Sequence, residues 1–228
     1  YRYYYGLKTF TDFIMNSYPQ AYNTSGMWRT PQQPLRAVKD ALNSMVEVIQ
    51  DLDGLDQMSL EVFGGPAVHE VDLTPDLDQI PEVIYHRQTG HYDVYTNIGG
   101  GLYKGIVELL HGAEARDAAA KVIVLMSDGY PNRWDDPDDL PYLDEIDDPD
   151  NPAQWNDGQS YARAMGKLAA HHGIRVYAIS VGYDVDRSLL QEIAARTGGI
   201  EYYAAGDPEE YTEELQQIFR TLGGKRPV

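Results

Sequence analysis

Cysteine is absent from all 228 residues. That excludes disulfides, thiolate nucleophiles and cysteine metal sites. Basic residues are scarce: 18 Lys and Arg face 36 Asp and Glu, a formal charge of −18 at pH 7. Phosphate binding needs a basic footprint, so the balance argues against nucleic acid and against anionic membrane surfaces. It suits cations, basic partners or plain solubility. No apolar run approaches the ~18 residues of a membrane span, so no membrane contact by this segment is expected. No signal-peptide pattern is visible, and the first residue is Tyr1, which reads as a fragment or a processed chain. There is no internal repeat. No serine sits in a GxSxG elbow, so a hydrolase triad is not signalled. What remains is 43% hydrophobic, enough for one domain with a real core.

The most informative stretch is Lys121–Gly129, KVIVLMSDG. Val122 to Met126 is an unbroken β-branched-rich apolar run, which suits a strand buried on both faces. It ends in Ser127-Asp128-Gly129. Ligands of open α/β sheets bind beyond the carboxyl ends of the strands, so Asp128 is a functional candidate. A local turn or cap role is the alternative.

Residues 1–33 are the least regular part, with Tyr1, Tyr3, Tyr4 and Tyr5 crowding the start and a short helix suggested by Leu7, Phe10, Ile14 and Tyr18. From Pro34 the pattern is clear. Leu35, Val38, Leu42, Met45, Val46 and Ile49 define one face of a helix. Ser59–Phe63, the Gly64-Gly65-Pro66 turn and Val68–Leu73 read as a hairpin. Thr74-Pro75-Asp76 opens another helix with Thr74 as cap. Thr89 to Gly101 reads as a loop, and a helix follows over 102–110. Residues 130–158 carry five prolines and a dense run of aspartates without periodicity, a long excursion at the sheet's C-terminal edge. A helix over 160–172, a buried strand at Ile174–Val181, a helix around Leu189–Ile193, a short strand at Glu201–Ala205 and a final amphipathic helix through Leu222 complete the pattern. Residues 223–228 form an exit segment. The alternation predicts an α/β fold, Rossmann-like and doubly wound. Its sheet is mainly parallel with one antiparallel edge hairpin, and helices cover both faces.

Several pieces in one order carry a family likeness: LRAVKDAL followed by MSLEVFGG, then LTPD, YTNIGGGL, KVIVLMSDG, GIRVYAISVG and LLQEIAARTGGIEYYA. Over residues 34–222 the chain resembles the von Willebrand factor A domain, most closely the bacterial type, including the TadG-like group of Tad/Flp pilus-assembly proteins. The resemblance implies a protein-interaction or adhesion module of the bacterial envelope or exterior, and not an enzyme. It also implies a divalent metal, commonly Mg2+ (or Mn2+ or Ca2+), at the top of the sheet. The family's threonine ligand maps to Thr96 and its last aspartate to Asp128, with Asn97, Gly99, Ser127 and Gly129 supporting them. Hydroxyl and carboxylate oxygens suit a hard cation, and a partner's Asp or Glu completes the shell.

The family's DxSxS motif is missing. The resemblance places it at the end of a central strand just before the helix that starts near Pro34, and 1–33 contain no such strand. The expectation is that strand and motif lie upstream of Tyr1, with 1–33 an insertion. Two alternatives stand: a degraded motif at Asn23-Thr24-Ser25-Gly26-Met27, or a scaffold domain whose site is incomplete and metal-free. An absent central strand would leave two strand edges exposed.

Other constellations have competing readings. Gly99-Gly100-Gly101-Leu102-Tyr103-Lys104-Gly105 at a helix start, followed by Asp128, outlines a nucleotide site and gives an enzyme alternative. Tight packing that holds Thr96 is the other reading. The aspartates at 135, 136, 138, 139, 144, 147, 148 and 150 lack EF-hand spacing. They read as a solvated loop, with calcium binding as the alternative. His171-His172 complements a helix C-terminus. His69, His86, His91 and His111 are isolated in sequence. Trp28, Trp134 and Trp155 are either partner anchors or pins for the loops. Oligomeric state is not legible.

Overall fold

A computed structural model describes residues 27–29, 34–52, 54–143, 155–205 and 208–223. The expectations for 1–26, including the helix there and most of the Asn23–Met27 motif, lie outside these residues, as does the exit segment beyond 223. Helix α1, Leu35–Asp51, forms where the apolar period predicts it. Pro34 occupies the turn before it, where no amide partner is lost, and its carbonyl accepts from Val38 N at 3.2 Å. The apolar face of α1 packs against the last helix, α6, Pro208–Gly223.

The hairpin is β1, Met58–Phe63, and β2, Ala67–Thr74, paired antiparallel with Glu61 opposite His69. Helix α2, Gln79–Tyr85, starts later than its sequence suggests. Thr74 does not cap it: Thr74 Oγ1 accepts from Asp76 N at 3.1 Å, closing a turn ahead of the helix. Helix α3, Ile98–His111, starts earlier than expected and takes Gly99-Gly100-Gly101 into its first turn. Glycine is a poor helix former, but here contact requires it. A Cβ on Gly99 would meet the Tyr161 ring at 2.4 Å, and one on Gly101 the Phe63 ring at 2.5 Å.

Then follow β3, Val122–Ser127; α4, Gly158–His171; β4, Arg175–Val181; α5, Arg187–Arg196; and β5, Glu201–Ala204. Asp157 and Ser160 form a reciprocal capping box that starts α4 after the long excursion. Strands β3, β4 and β5 are parallel, with β4 in the middle. Alternate residues of β4 serve two cores, as a strand's period of two demands. Val176 and Ala178 join α3, α4 and α5 on one face. Tyr177, Ile179 and Val181 join α1, α2 and α6 on the other. This is the α/β architecture expected, with helices on both faces.

The hairpin and the parallel strands do not form one continuous sheet among the described residues. Yet β1 and β3 run alongside in the same direction. At their starts, Arg116 Nη2 donates to Leu55 O and Lys121 Nζ donates to Arg116 O at 3.0 Å. At their ends, Gly65 and Gly129 both abut the Thr96-Asn97 loop. Between them lies a cavity of about 700 Å³, lined by all of β1 and β3, by Leu35, Val38 and Leu42 of α1, and by Leu102 and Gly105 of α3. This corrects the expectation that Val122–Met126 is buried on both faces. Only Leu125 and Ser127 of β3 are buried, because one of its edges faces the cavity.

Candidate functional site

The loop before α3 is tied down residue by residue. Arg87 donates to the Glu70 carboxylate, Nε to Oε1 at 2.6 Å and Nη2 to Oε2. The Tyr92 hydroxyl also donates to Glu70 Oε1. The Arg87 guanidinium beside it holds the Glu70 carboxyl below its usual range. Tyr92 O in turn accepts from Gly65 N at 2.7 Å. Gly64 sits so close to this loop that a Cβ would lie 2.3 Å from Tyr92 O. Asp93 turns the chain with φ of 74°, and its Oδ1 accepts from Val94 N at 2.8 Å. The outcome is a fixed delivery of Thr96. Its backbone is clasped by Asn132: Thr96 N donates to Asn132 Oδ1 at 2.8 Å, and Asn132 N donates to Thr96 O at 3.1 Å.

Asn97 is fully buried and fully used. Its Oδ1 accepts from Gly100 N at 2.9 Å, capping α3. Its Nδ2 donates to Gly65 O at 3.2 Å and to Asp135 Oδ1 at 3.1 Å. Asp135 is a hub that sequence reasoning left inside an undifferentiated acidic run. Besides Asn97 it accepts from the Tyr161 hydroxyl at 3.2 Å, and its carbonyl accepts from Trp155 Nε1 at 2.6 Å. Trp155 stacks on Tyr161 with centroids 4.5 Å apart. Burial, then the Asp135 charge, pushes the Tyr161 hydroxyl well above the usual phenol range. The tryptophans thus divide. Trp155 pins the excursion, Trp28 packs edge-on to Tyr85 and His86, and Trp134 is exposed.

At the end of β3, Ser127 Oγ accepts from Gly129 N at 3.3 Å and holds the turn that presents Asp128 to solvent. A Cβ on Gly129 would stand 3.1 Å from Thr96 Oγ1, so the two loops touch here. Thr96, Ser127 and Asp128 all line the same cavity, at the end where β1 and β3 finish. The structure therefore brings Thr96 and Asp128 to one cleft. It assigns Asn97, Ser127, Gly99 and Gly129 to hydrogen bonding and packing around them. A hydroxyl and a carboxylate fit a hard divalent cation, but a near-octahedral ion needs more donors than these.

The nucleotide outline fares poorly. Gly100 N is already taken by Asn97 Oδ1, and a Cβ on Gly100 would lie 2.8 Å from Asp135 Oδ2, so a phosphate at this helix start would meet negative charge. The glycines are filled by the Tyr161 and Phe63 rings, which favours the packing reading. In the acidic excursion, Asp136 Oδ1 accepts from Asp138 N at 3.1 Å in a short 3-10 turn, Pro137–Asp139, and the aspartates from 144 to 150 lie outside the described residues. His171 ends α4 and His172 follows as its cap, as expected. No helix among the described residues is long and apolar enough to cross a membrane.

The sequence model of the von Willebrand factor type A domain matches residues 25–220. No curated protein matches. Among solved structures, an aerotolerance-related membrane protein from Bacteroides fragilis is 16% identical with a TM-score of 0.55, covering 83% of this chain and 90% of that one. The pilus adhesin SpaC from Lactobacillus rhamnosus GG is 14% identical with a TM-score of 0.57, covering 92% of this chain and 29% of that one. Proximal thread matrix protein 1 from the mussel byssus, with a zinc-occupied MIDAS motif, is 16% identical with a TM-score of 0.54, covering 83% of this chain and 41% of that one. At these identities the likeness is one of fold.

Proposed function

Because the chain belongs to the von Willebrand factor type A domain family, we infer that it is a non-enzymatic protein-interaction module that engages its partner through a divalent ion held at the Thr96–Asp128 face. The observation that carries this is the convergence of Thr96 and Asp128 on one end of the cavity between β1 and β3. The ion would be Mg2+ foremost, with Mn2+ or Ca2+ as substitutes. The remaining donors, an aspartate and serines, would arrive on a strand from upstream of Tyr1, seated in that cavity parallel to β1 and β3. The partner would supply an Asp or Glu oxygen to the open position. Around the cleft, Tyr95, Tyr130 and Trp134 are exposed, the residue types that anchor protein interfaces.

A bacterial envelope or extracellular setting is part of the same reading, supported by the membrane-protein and pilus-adhesin neighbours. The TadG-like subgroup rests on sequence resemblance alone. A second reading has an observation behind it: two protein donors make a poor site, so the domain could be a metal-free scaffold of the same fold. Calorimetry with Mg2+ and Mn2+ on a chain extended upstream of Tyr1 separates them. Heat that Thr96→Ala or Asp128→Ala removes supports the metal face. An extended chain that gives neither heat nor thermal shift leaves the scaffold reading.

A further inference from the structure

The hairpin carries a second cluster on the flank of the domain. Glu61 on β1 faces His69 on β2 across the ladder. His69 Nδ1 lies 2.8 Å from Glu61 Oε1. His69 Nε2 lies 2.7 Å from Asp72 Oδ1 and 3.8 Å from Glu108 Oε2. Glu108 comes from the last turns of α3, and its side chain is only 10% exposed. Its Oε1 accepts from Leu73 N at 2.7 Å, while Oε2, beyond hydrogen-bond reach of the ring, is aimed at the space that His69 Nε2 and Asp72 share.

Two features point beyond a local ion pair. The first is charge. Three carboxylates surround one imidazole, and two of them, Glu61 and Glu108, have side chains only 12% and 10% exposed. An imidazolium offsets one negative charge. Lys104 bears on Glu61 but does not make an ion pair with it among the described residues. Burial pushes the Glu61 carboxyl upward, and partly buried carboxylates in excess are relieved either by protons or by a cation. The second is orientation. Metal-bound histidines donate their other ring N–H to a carboxylate, which fixes the tautomer and turns the free nitrogen to the ion. Glu61 is in that position on Nδ1, and the three remaining donor atoms lie within 4.8 Å of one another.

We propose that His69 Nε2, Asp72 and Glu108 bind a divalent transition-metal ion of the Zn2+ class, with Glu61 as the positioning acceptor behind the ring. One imidazole with two carboxylates suits Zn2+ or Mn2+ better than Ca2+ or Mg2+, which take oxygen donors. Donors around zinc at ~2.0–2.1 Å stand roughly 3.3 Å apart, and the side chain of Asp72 is 81% exposed and free to close. The ion takes the neutral imidazole, so binding competes with protons. This site is separate from the Thr96–Asp128 cleft. Glu108 lies about three turns along α3 from Asn97, roughly 16 Å by helical rise. The ion would clip the hairpin to α3.

The test is Zn2+ titration of the chelator-treated 228-residue chain by calorimetry, in two buffers of different ionisation heat, alongside thermal melts. One zinc per chain, with a buffer-dependent heat reporting proton release, is expected. His69→Gln should abolish it. Asp72→Asn, at an exposed position that folding does not need, should weaken it at least about tenfold, and Glu61→Gln about 10- to 100-fold. Thr96→Ala and Asp128→Ala should leave it intact, which separates this site from the other one. No zinc heat from the intact chain, or the same zinc affinity in Asp72→Asn and His69→Gln, overturns the proposal.

Discussion

Strands β3 and β4 are parallel neighbours of similar composition, yet they live in different surroundings. Strand β4 has β3 on one side and β5 on the other, and six of its seven residues are buried. Strand β3 has β4 on one side and the cavity on the other, and two of its six residues are buried. A strand's apolar sequence thus states its fitness for burial, and its neighbours decide whether burial occurs. The same contrast divides the domain. The half around β4 and β5 is held by packing of two cores. The hairpin half relies more on charge, with the Glu70–Arg87–Tyr92 node securing the loop that carries Thr96.

Truncation should expose that difference most directly. Ile179→Ala, in the fully buried middle of β4, should cost about 4 kcal/mol, whereas Val124→Ala on half-buried β3 should cost about 1 kcal/mol. Urea denaturation of the two variants measures both, and equal losses would remove the distinction. Next in size is the charge node. Glu70→Gln should destabilise the chain by about 2 kcal/mol at pH 7, since it weakens hydrogen bonds to a charged partner. Because its folded pKa is depressed, the Glu70 contribution is present above the unfolded value near 4.5. It is lost as pH falls through the lower folded value. The gap between wild type and Glu70→Gln should therefore close on acidification, and thermal melts from pH 7 to 3 would show whether it does. Of similar size should be the loss of Asn97, a buried cap that also donates to Gly65 O and the Asp135 carboxylate. Asn97→Ala should cost about 2 kcal/mol, the cap together with the acceptors it leaves unpaired, read as a drop in melting temperature. Its amide exchange should rise at the first turn of α3 and not at β4.

Much of this architecture was legible beforehand. The apolar period of Leu35–Ile49 located α1 closely, and the runs at 122–126 and 174–181 located β3 and β4 to within a residue. What failed depended on distant contacts. The start of α3 was hidden because three glycines argue against a helix, while the reason for them is the rings of Tyr161 and Phe63. The exposure of β3 was hidden because it depends on what stands beside it. Thr74 had the chemistry of a cap but used it one turn early. At the candidate site, the TNIGGGL and SDG motifs marked the loops that do meet. Asp135 was missed because, in a run of aspartates, nothing local distinguishes the one that reaches Asn97 and Tyr161. His69 looked isolated because its partners stand at positions 61, 72 and 108.

The Trp155–Tyr161 stack has a use of its own. The indole N–H is bonded to the backbone of Asp135, and the Asp135 carboxylate is bonded to Asn97, next in sequence to Thr96. Light absorbed by that tryptophan is therefore emitted from a residue two hydrogen bonds from the cleft. Its emission wavelength and quenching should register any rearrangement of the Thr96 loop, which gives the domain an internal optical gauge without an attached dye.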